Sequence, residues 1–160
     1  MNEFISRFLT HTHPFFSEAP HYGNYVQQTQ NTYSPSPYPS FLTFESDANI
    51  SDNNNTYEIL TYPNNPDGSK RNPISKNVIY DCIYYWPHFT EIDVKLEHDI
   101  MIFSASKHTG HAGSRLGWAL VKDPEIAELM RDFSEVRRGG NNHHNPSSLC
   151  VLTRRGFALS

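Results

Sequence analysis

Two apolar runs, Asp99–Ser104 and Gly117–Lys122, flank a polar, glycine-rich segment, and this arrangement constrains the chain more than any other feature. The first run is nearly all apolar, as a strand buried on both faces should be. The second leads directly into Asp123-Pro124-Glu125, an N-capping acid followed by proline at the first helical position. The order strand, loop, strand, helix is therefore expected, with the helix reaching about Phe133. Upstream, Thr56–Leu60 reads as a strand running into the turn Pro63-Asn64-Asn65-Pro66-Asp67-Gly68. Asn77–Asp81 is a β-branched run that ends in a carboxylate. Strands followed by Asn65, Asp81 and Lys107 predict an α/β sheet with a site along one rim.

The rest of the chain is less ordered in pattern. Residues 1–18 read as a short helix or coil, and 19–30 as a buried turn with aromatic content. Residues 31–55 are rich in Pro, Ser, Asn and Asp, which is loop chemistry, with only Phe41–Phe44 apolar enough for a brief strand. Residues 1–133 are read as the folded part and 134–160 as a divergent, loose tail. The net charge of −4 argues against a general nucleic-acid binder. That charge is uneven, with +3 on residues 134–160 and −7 on the remainder. Cys82 and Cys150 lie far apart and form no metal-spaced pair, which fits a reducing compartment. No stretch near Met1 reads as a secretory signal or a membrane span, and the expected location is the cytoplasm.

The chemistry sits in the loop between the two apolar runs. Lys107 follows a hydrophobic strand and Ser104-Ala105-Ser106; a glycine-rich loop comes next, and Arg115 lies eight residues on. An amine leaving a sheet edge, partly desolvated, is a usable nucleophile toward an aldehyde. Ser104 and Arg115 can bind a phosphate, one as a hydroxyl donor and the other as a forked guanidinium. Aldehyde plus phosphate describes pyridoxal phosphate. A lone lysine after a strand is commonly just solvated; the composite pattern is what favours the site.

Three segments carry a family resemblance: Tyr-Pro-Asn-Asn-Pro-Asp-Gly (62–68), Tyr-Asp-Cys-Ile-Tyr-Tyr-Trp-Pro-His-Phe (80–89), and Ser-Ala-Ser-Lys-His-Thr-Gly-His-Ala-Gly-Ser-Arg-Leu-Gly-Trp-Ala-Leu-Val-Lys-Asp (104–123). A fainter match is Ala-Pro-His-Tyr-Gly-Asn-Tyr (19–25). From about residue 15 to about 133 the chain resembles the plant alliinase and tryptophan aminotransferase-related group of fold-type-I pyridoxal-phosphate enzymes. That fold is α/β, with a mixed, mostly parallel sheet and flanking helices; this chain would be part of its large domain. The resemblance implies a Schiff base on Lys107, whose freed amine then moves the substrate α-proton. Asp81 would face the pyridine nitrogen and keep it protonated, while Tyr84 and the Asn65 amide would donate to the cofactor's phenolate oxygen. Tyr22 would stack on the ring, and Ser104 and Arg115 would hold the phosphate.

By the same resemblance the substrates are an amino acid, such as tryptophan in an auxin-forming transamination, and a keto acid. The lyase branch instead cleaves cysteine sulfoxides by β-elimination, and a non-catalytic remnant is a third reading. A homodimer is implied, with no nucleic acid, membrane or metal partner. The resemblance also implies a longer protein, so this chain by itself is expected to be marginally stable and to bind cofactor weakly. His111 reads as a loop-structuring or cofactor-rim residue, and His143-His144 as solvated tail rather than metal ligands.

Overall fold

The computed structural model describes residues 15–25, 44–45, 57–93, 96, 98–139 and 148–153. The expectations for residues 1–14, for most of the 31–55 loop, and for His143-His144 lie outside the described residues. Contacts divide the chain into two compact units, Met1–Ile79 and Tyr80–Ser160.

In the first unit, β1 (Phe15–Phe16) pairs in parallel with both β2 (Phe44–Glu45) and β3 (Tyr57–Thr61). Strand alternation places Glu58 and Leu60 inside, with Tyr57 and Ile59 half-buried. Phe16, Tyr25 and Leu60 supply the apolar interior, and the Tyr25 hydroxyl meets Thr61 Oγ1 at 2.8 Å. Glu58 is fully buried; its Oε2 accepts from the backbone N–H groups of Ile74 (2.7 Å) and Ser75 (2.9 Å). Those bonds tie the approach to β4 (Asn77–Asp81) to β3. Glu58 Oε1 has no partner, and burial raises the carboxyl's pKa above its ordinary value.

The turn after β3 is held by a carboxylate. Asp67 Oδ1 accepts from Asn64 Nδ2, Ser69 N and Ser69 Oγ, and Oδ2 from Arg71 Nη2. These donors, the Ser69 backbone foremost, lower the Asp67 pKa to about 2.

The second unit takes up the end of β4 and adds β5 (Ile100–Ser104), a four-residue helix α1 (Ala105–His108), a 3-10 turn (Ala112–Ser114), β6 (Leu116–Val121), α2 (Pro124–Gly139) and β7 (Ser148–Thr153). Strands β5 and β6 are antiparallel, with Ser104 opposite Gly117; β6 and β7 are parallel. Cys82 N donates to Ile102 O at 2.8 Å, so the chain leaving β4 runs beside β5. Ala119 and Val121 of β6 and Ala127 of α2 form the core of this unit, with Ile100, Ile102, Ile126 and Met130 packed on it. The start of α2 follows the expected cap: Asp123 Oδ1 accepts from Glu125 N at 2.8 Å and Asp123 O from Ala127 N at 3.0 Å.

Among the described residues the chain is thus an α/β piece with a mixed sheet and few helices. Two expectations need correction. β5 is not buried on both faces: Met101 alone is buried, and its neighbours are half-exposed. The segment 134–160 is not wholly tail: α2 runs on to Gly139, and β7 pairs with β6 along its length. Its apolar run Leu149–Leu152 was the available signal. No described helix is long and apolar enough to cross a membrane.

Candidate active site

Asp81 closes β4, and the turn after it carries Tyr84. Ser104 closes β5 and caps α1, which carries Lys107; Arg115 immediately precedes β6. Because Ser104 pairs with Gly117 across an antiparallel ladder, the end of β5 and the start of β6 share one edge of the second unit. All five residues belong to that unit.

Asp81 is buried, and its Oδ1 accepts from Ile83 N at 3.2 Å in an Asx-type turn. Beside it, Cys82 is fully buried, and burial together with the Asp81 charge pushes its thiol up to about 12. A thiol that stays protonated is no nucleophile at neutral pH. Tyr84 is half-buried; Phe89 meets it edge-on with centroids 5.3 Å apart, and the Lys107 ammonium lies over its ring, Nζ 5.7 Å from the centroid. That separation is within cation–π range.

Ser104 has extended backbone, and its Oγ accepts from Ser106 N at 3.2 Å. The hydroxyl hydrogen therefore remains able to donate to an anion. Lys107 is exposed. The expectation of a partly desolvated amine is not met within this unit, because a single helical turn carries the side chain outward from the core. After α1, Gly110 takes φ +73°, the left-handed conformation that lets the loop reverse. His111 Nδ1 meets Thr109 Oγ1 at 2.9 Å, a bond within the loop.

Arg115 is the only described non-glycine residue with positive φ (50°, ψ 36°), a conformation that costs roughly 1 kcal/mol or more outside glycine. Among the described residues its exposed guanidinium has only a long contact, Nη1 to Ala112 O at 3.5 Å. A strained arginine with a largely uncommitted fork suits an anion that binds from solution.

Two expected residues belong to the first unit. Tyr22 is 48% exposed, and its hydroxyl accepts from Asn24 Nδ2 at 2.7 Å. Asn65 is exposed, whereas its neighbour Asn64 is buried and committed to Pro20 O and Asp67 Oδ1. Asn64 shapes the turn through those two bonds.

Sequence reasoning gave no role to Trp86, His88 and His108, of which His88 meets the Lys107 carbonyl. His108 is buried with the Cys82 backbone as a polar neighbour, and Trp86 stacks on it. No local rule pairs residues so far apart in sequence; the only hint was that Trp86 and His88 lie in the segment that carries Tyr84.

The donor set suits a phosphorylated pyridine aldehyde: an exposed amine, a hydroxyl and guanidinium at one edge, a buried carboxylate and a phenol. The family model described as "Allinase" matches residues 9–151. The chain is 40% identical over 128 residues to tryptophan aminotransferase-related protein 1 of Oryza sativa subsp. japonica, covering 78% of this chain and 28% of that protein. It is 42% identical over 145 residues to alliin lyase of Allium cepa var. aggregatum, covering 85% of this chain and 31% of the relative. Over 87 residues, 52% of this chain, it is 48% identical to tryptophan aminotransferase-related protein 2 of Arabidopsis thaliana, of which it covers 20%. The chain thus spans less than a third of the length of each of these relatives.

Proposed function

The chain belongs to the alliinase family, and from that premise we propose that it is part of a fold-type-I pyridoxal-phosphate enzyme of amino-acid metabolism, with Lys107 as the cofactor lysine. The carrying observation is the Lys107 ammonium held over the Tyr84 ring at 5.7 Å, on a helix capped by Ser104. Ser104 and Arg115 would hold the phosphate, Asp81 the ring nitrogen and Tyr84 the ring's phenolate oxygen. When bound, the cofactor supplies an aldehyde for the lysine and a protonated ring that draws electrons from the substrate α-carbon.

This chain's residues then have distinct tasks. The buried Asp81 carboxylate would hold a proton on the cofactor's ring nitrogen, since an opposite charge favours the protonated ring. Tyr84 donates a hydrogen bond through its hydroxyl. Lys107 Nζ, as a free amine, would take the substrate α-carbon proton and return it elsewhere. Arg115 and Ser104 neutralise and orient the anion, which fixes where the α-carbon lies relative to Nζ.

Transamination of an aromatic amino acid to a keto acid is the leading reaction, supported by likeness to tryptophan aminotransferase-related proteins. β-Elimination at a carbon–sulfur bond is the second reading, supported by the alliin lyase relative. A homodimer accompanies either. Products separate them: transfer of the amino group to a second keto acid, or release of pyruvate, ammonia and a sulfur species.

The cofactor reading is tested first. The chain is incubated with pyridoxal phosphate, reduced with borohydride and mapped by peptide mass. A pyridoxyl group on Lys107, missing in Lys107→Ala, is the expected result. Label spread over Lys70, Lys76 and Lys122, and unchanged in that variant, would overturn it and favour a non-catalytic remnant.

A further inference from the structure

The turn after β4 and helix α1 meet at two contacts outside the chemistry assigned above. The Trp86 indole lies face to face with the His108 imidazole, centroids 4.4 Å apart and planes 12° apart. Phe103 and Trp118 meet the same imidazole edge-on at 6.1 and 5.1 Å. His108 is 7% exposed, held among these rings with the Cys82 backbone as a polar neighbour. Two residues beyond Trp86, His88 Nε2 lies 3.1 Å from the Lys107 carbonyl oxygen. A carbonyl only accepts, so Nε2 carries the hydrogen and His88 is the donor.

These contacts fall on the two residues where α1 is weakest. A four-residue helix lies below the length at which hydrogen bonds sustain it, and its last carbonyls have no partner within the helix. At its end, Thr109 N and Thr109 Oγ1 both donate to Ala105 O, at 3.0 and 3.1 Å. His88 supplies a donor to the Lys107 carbonyl from outside the helix. Trp86 presses on the next side chain. Both side chains come from the turn that positions Tyr84 beneath Lys107 Nζ. Burial does not explain Trp86, which is 41% exposed.

We propose that Trp86 and His88 are positioning residues: they clasp the Lys107–His108 backbone to the Tyr84 turn and so set the direction in which the lysine amine points. The relevance to catalysis rests on Lys107 being the cofactor lysine; the clasp itself does not. A lysine side chain has four rotatable bonds, so the backbone beneath it is the main thing a fold can use to aim it. Loss of the His88 hydrogen bond removes one restraint supplied by this turn, and loss of the indole removes another.

The test uses the whole 160-residue chain with His88→Ala, His88→Gln, Trp86→Ala and Trp86→Phe. Two quantities are read: amide hydrogen exchange over residues 105–109 without cofactor, and the ratio of borohydride-fixed pyridoxyl label on Lys107 to that on the exposed Lys122. His88→Ala and Trp86→Ala are each expected to speed exchange about fivefold, the worth of one ordinary hydrogen bond, and to lower the label ratio by a similar factor. Gln can still donate and Phe can still stack, so those variants should stay within about twofold of the unaltered chain. Unchanged exchange in both alanine variants would overturn the clasp, as would a Gln variant as impaired as Ala. Normal selectivity for Lys107 in every variant, with faster exchange in the alanine pair, would overturn the positioning role. If the unaltered chain shows no preference for Lys107 while exchange follows the expected pattern, the cofactor reading falls and the clasp stands.

Discussion

Gly117→Ala tests how tightly the active edge is built. Gly117 faces Ser104 across the β5–β6 ladder, and a Cβ placed on it would lie 2.9 Å from the Phe103 carbonyl oxygen. Ordinary van der Waals contact for such an atom begins near 3.4 Å, so about 0.5 Å must be absorbed. The obstructing atom is backbone, and no side-chain rotation relieves it. Overpacking of this kind costs about 1–3 kcal/mol, or roughly 2–12 °C of melting midpoint for a chain of this size. Gly113→Ala is the control: a Cβ there meets nothing within 4 Å, and its effect should stay within about 0.5 kcal/mol. Urea unfolding followed by indole emission measures both. Because Phe103 adjoins Ser104, the strand shift should also lower pyridoxyl labelling of Lys107. If Gly117→Ala unfolds at the same urea concentration as Gly113→Ala, the close approach of the two strands is refuted, and with it the claim that this edge is sterically specified.

Glu58→Ala should cost about 2–4 kcal/mol, since it strands the Ile74 and Ser75 N–H groups and opens a cavity beside β3, whereas Glu58→Gln keeps an acceptor and should cost less than about 1 kcal/mol; paired urea titrations check both. Burial raises the Glu58 pKa, so the folded chain holds that proton more tightly than the unfolded one. Its contribution is full below pH 4.5 and is lost as pH rises through the folded value, a slope that Glu58→Gln should abolish in titrations repeated from pH 4 to 8. His108 and His98 are shifted the other way, below 6.5, chiefly by burial. The stability they allow is present above about pH 6.5 and is lost as pH falls through their folded values, at no more than about 1.4 kcal/mol per pH unit for each histidine. His108→Phe, which keeps the ring stack, should flatten part of that acid loss, and an unchanged slope between pH 8 and 5 would refute it.

Local chemistry made much of the fold legible. Strands β3, β4, β5 and β6 fall within a residue or so of their expected ranges, because β-branched and apolar runs bounded by Asn, Pro, Gly and Asp carry their own boundaries. The Asp123 cap was readable for the same reason. Burial was not. Glu58 sits on the inward side of β3 although its type belongs outside, and β5 exposes residues that its composition would hide. β7 was hidden in a segment whose neighbours read as tail, although the apolar run Leu149–Leu152 carried its signal.

The sequence by itself established the family likeness, the order of strands β3 to β6 with the helix after them, and the residue types at the active edge, because propensity, capping and motif spacing act over a few neighbouring residues. Tertiary structure decided which of those residues meet. It made β5 antiparallel to β6, which brings Arg115 to the edge that carries Ser104, and it buried Asn64 and bonded it to Pro20 O. It also set Trp86 on His108 and His88 on the Lys107 carbonyl. Those contacts join positions about twenty apart in the chain, where the geometry depends on how whole strands pack and not on what any short window of residues prefers.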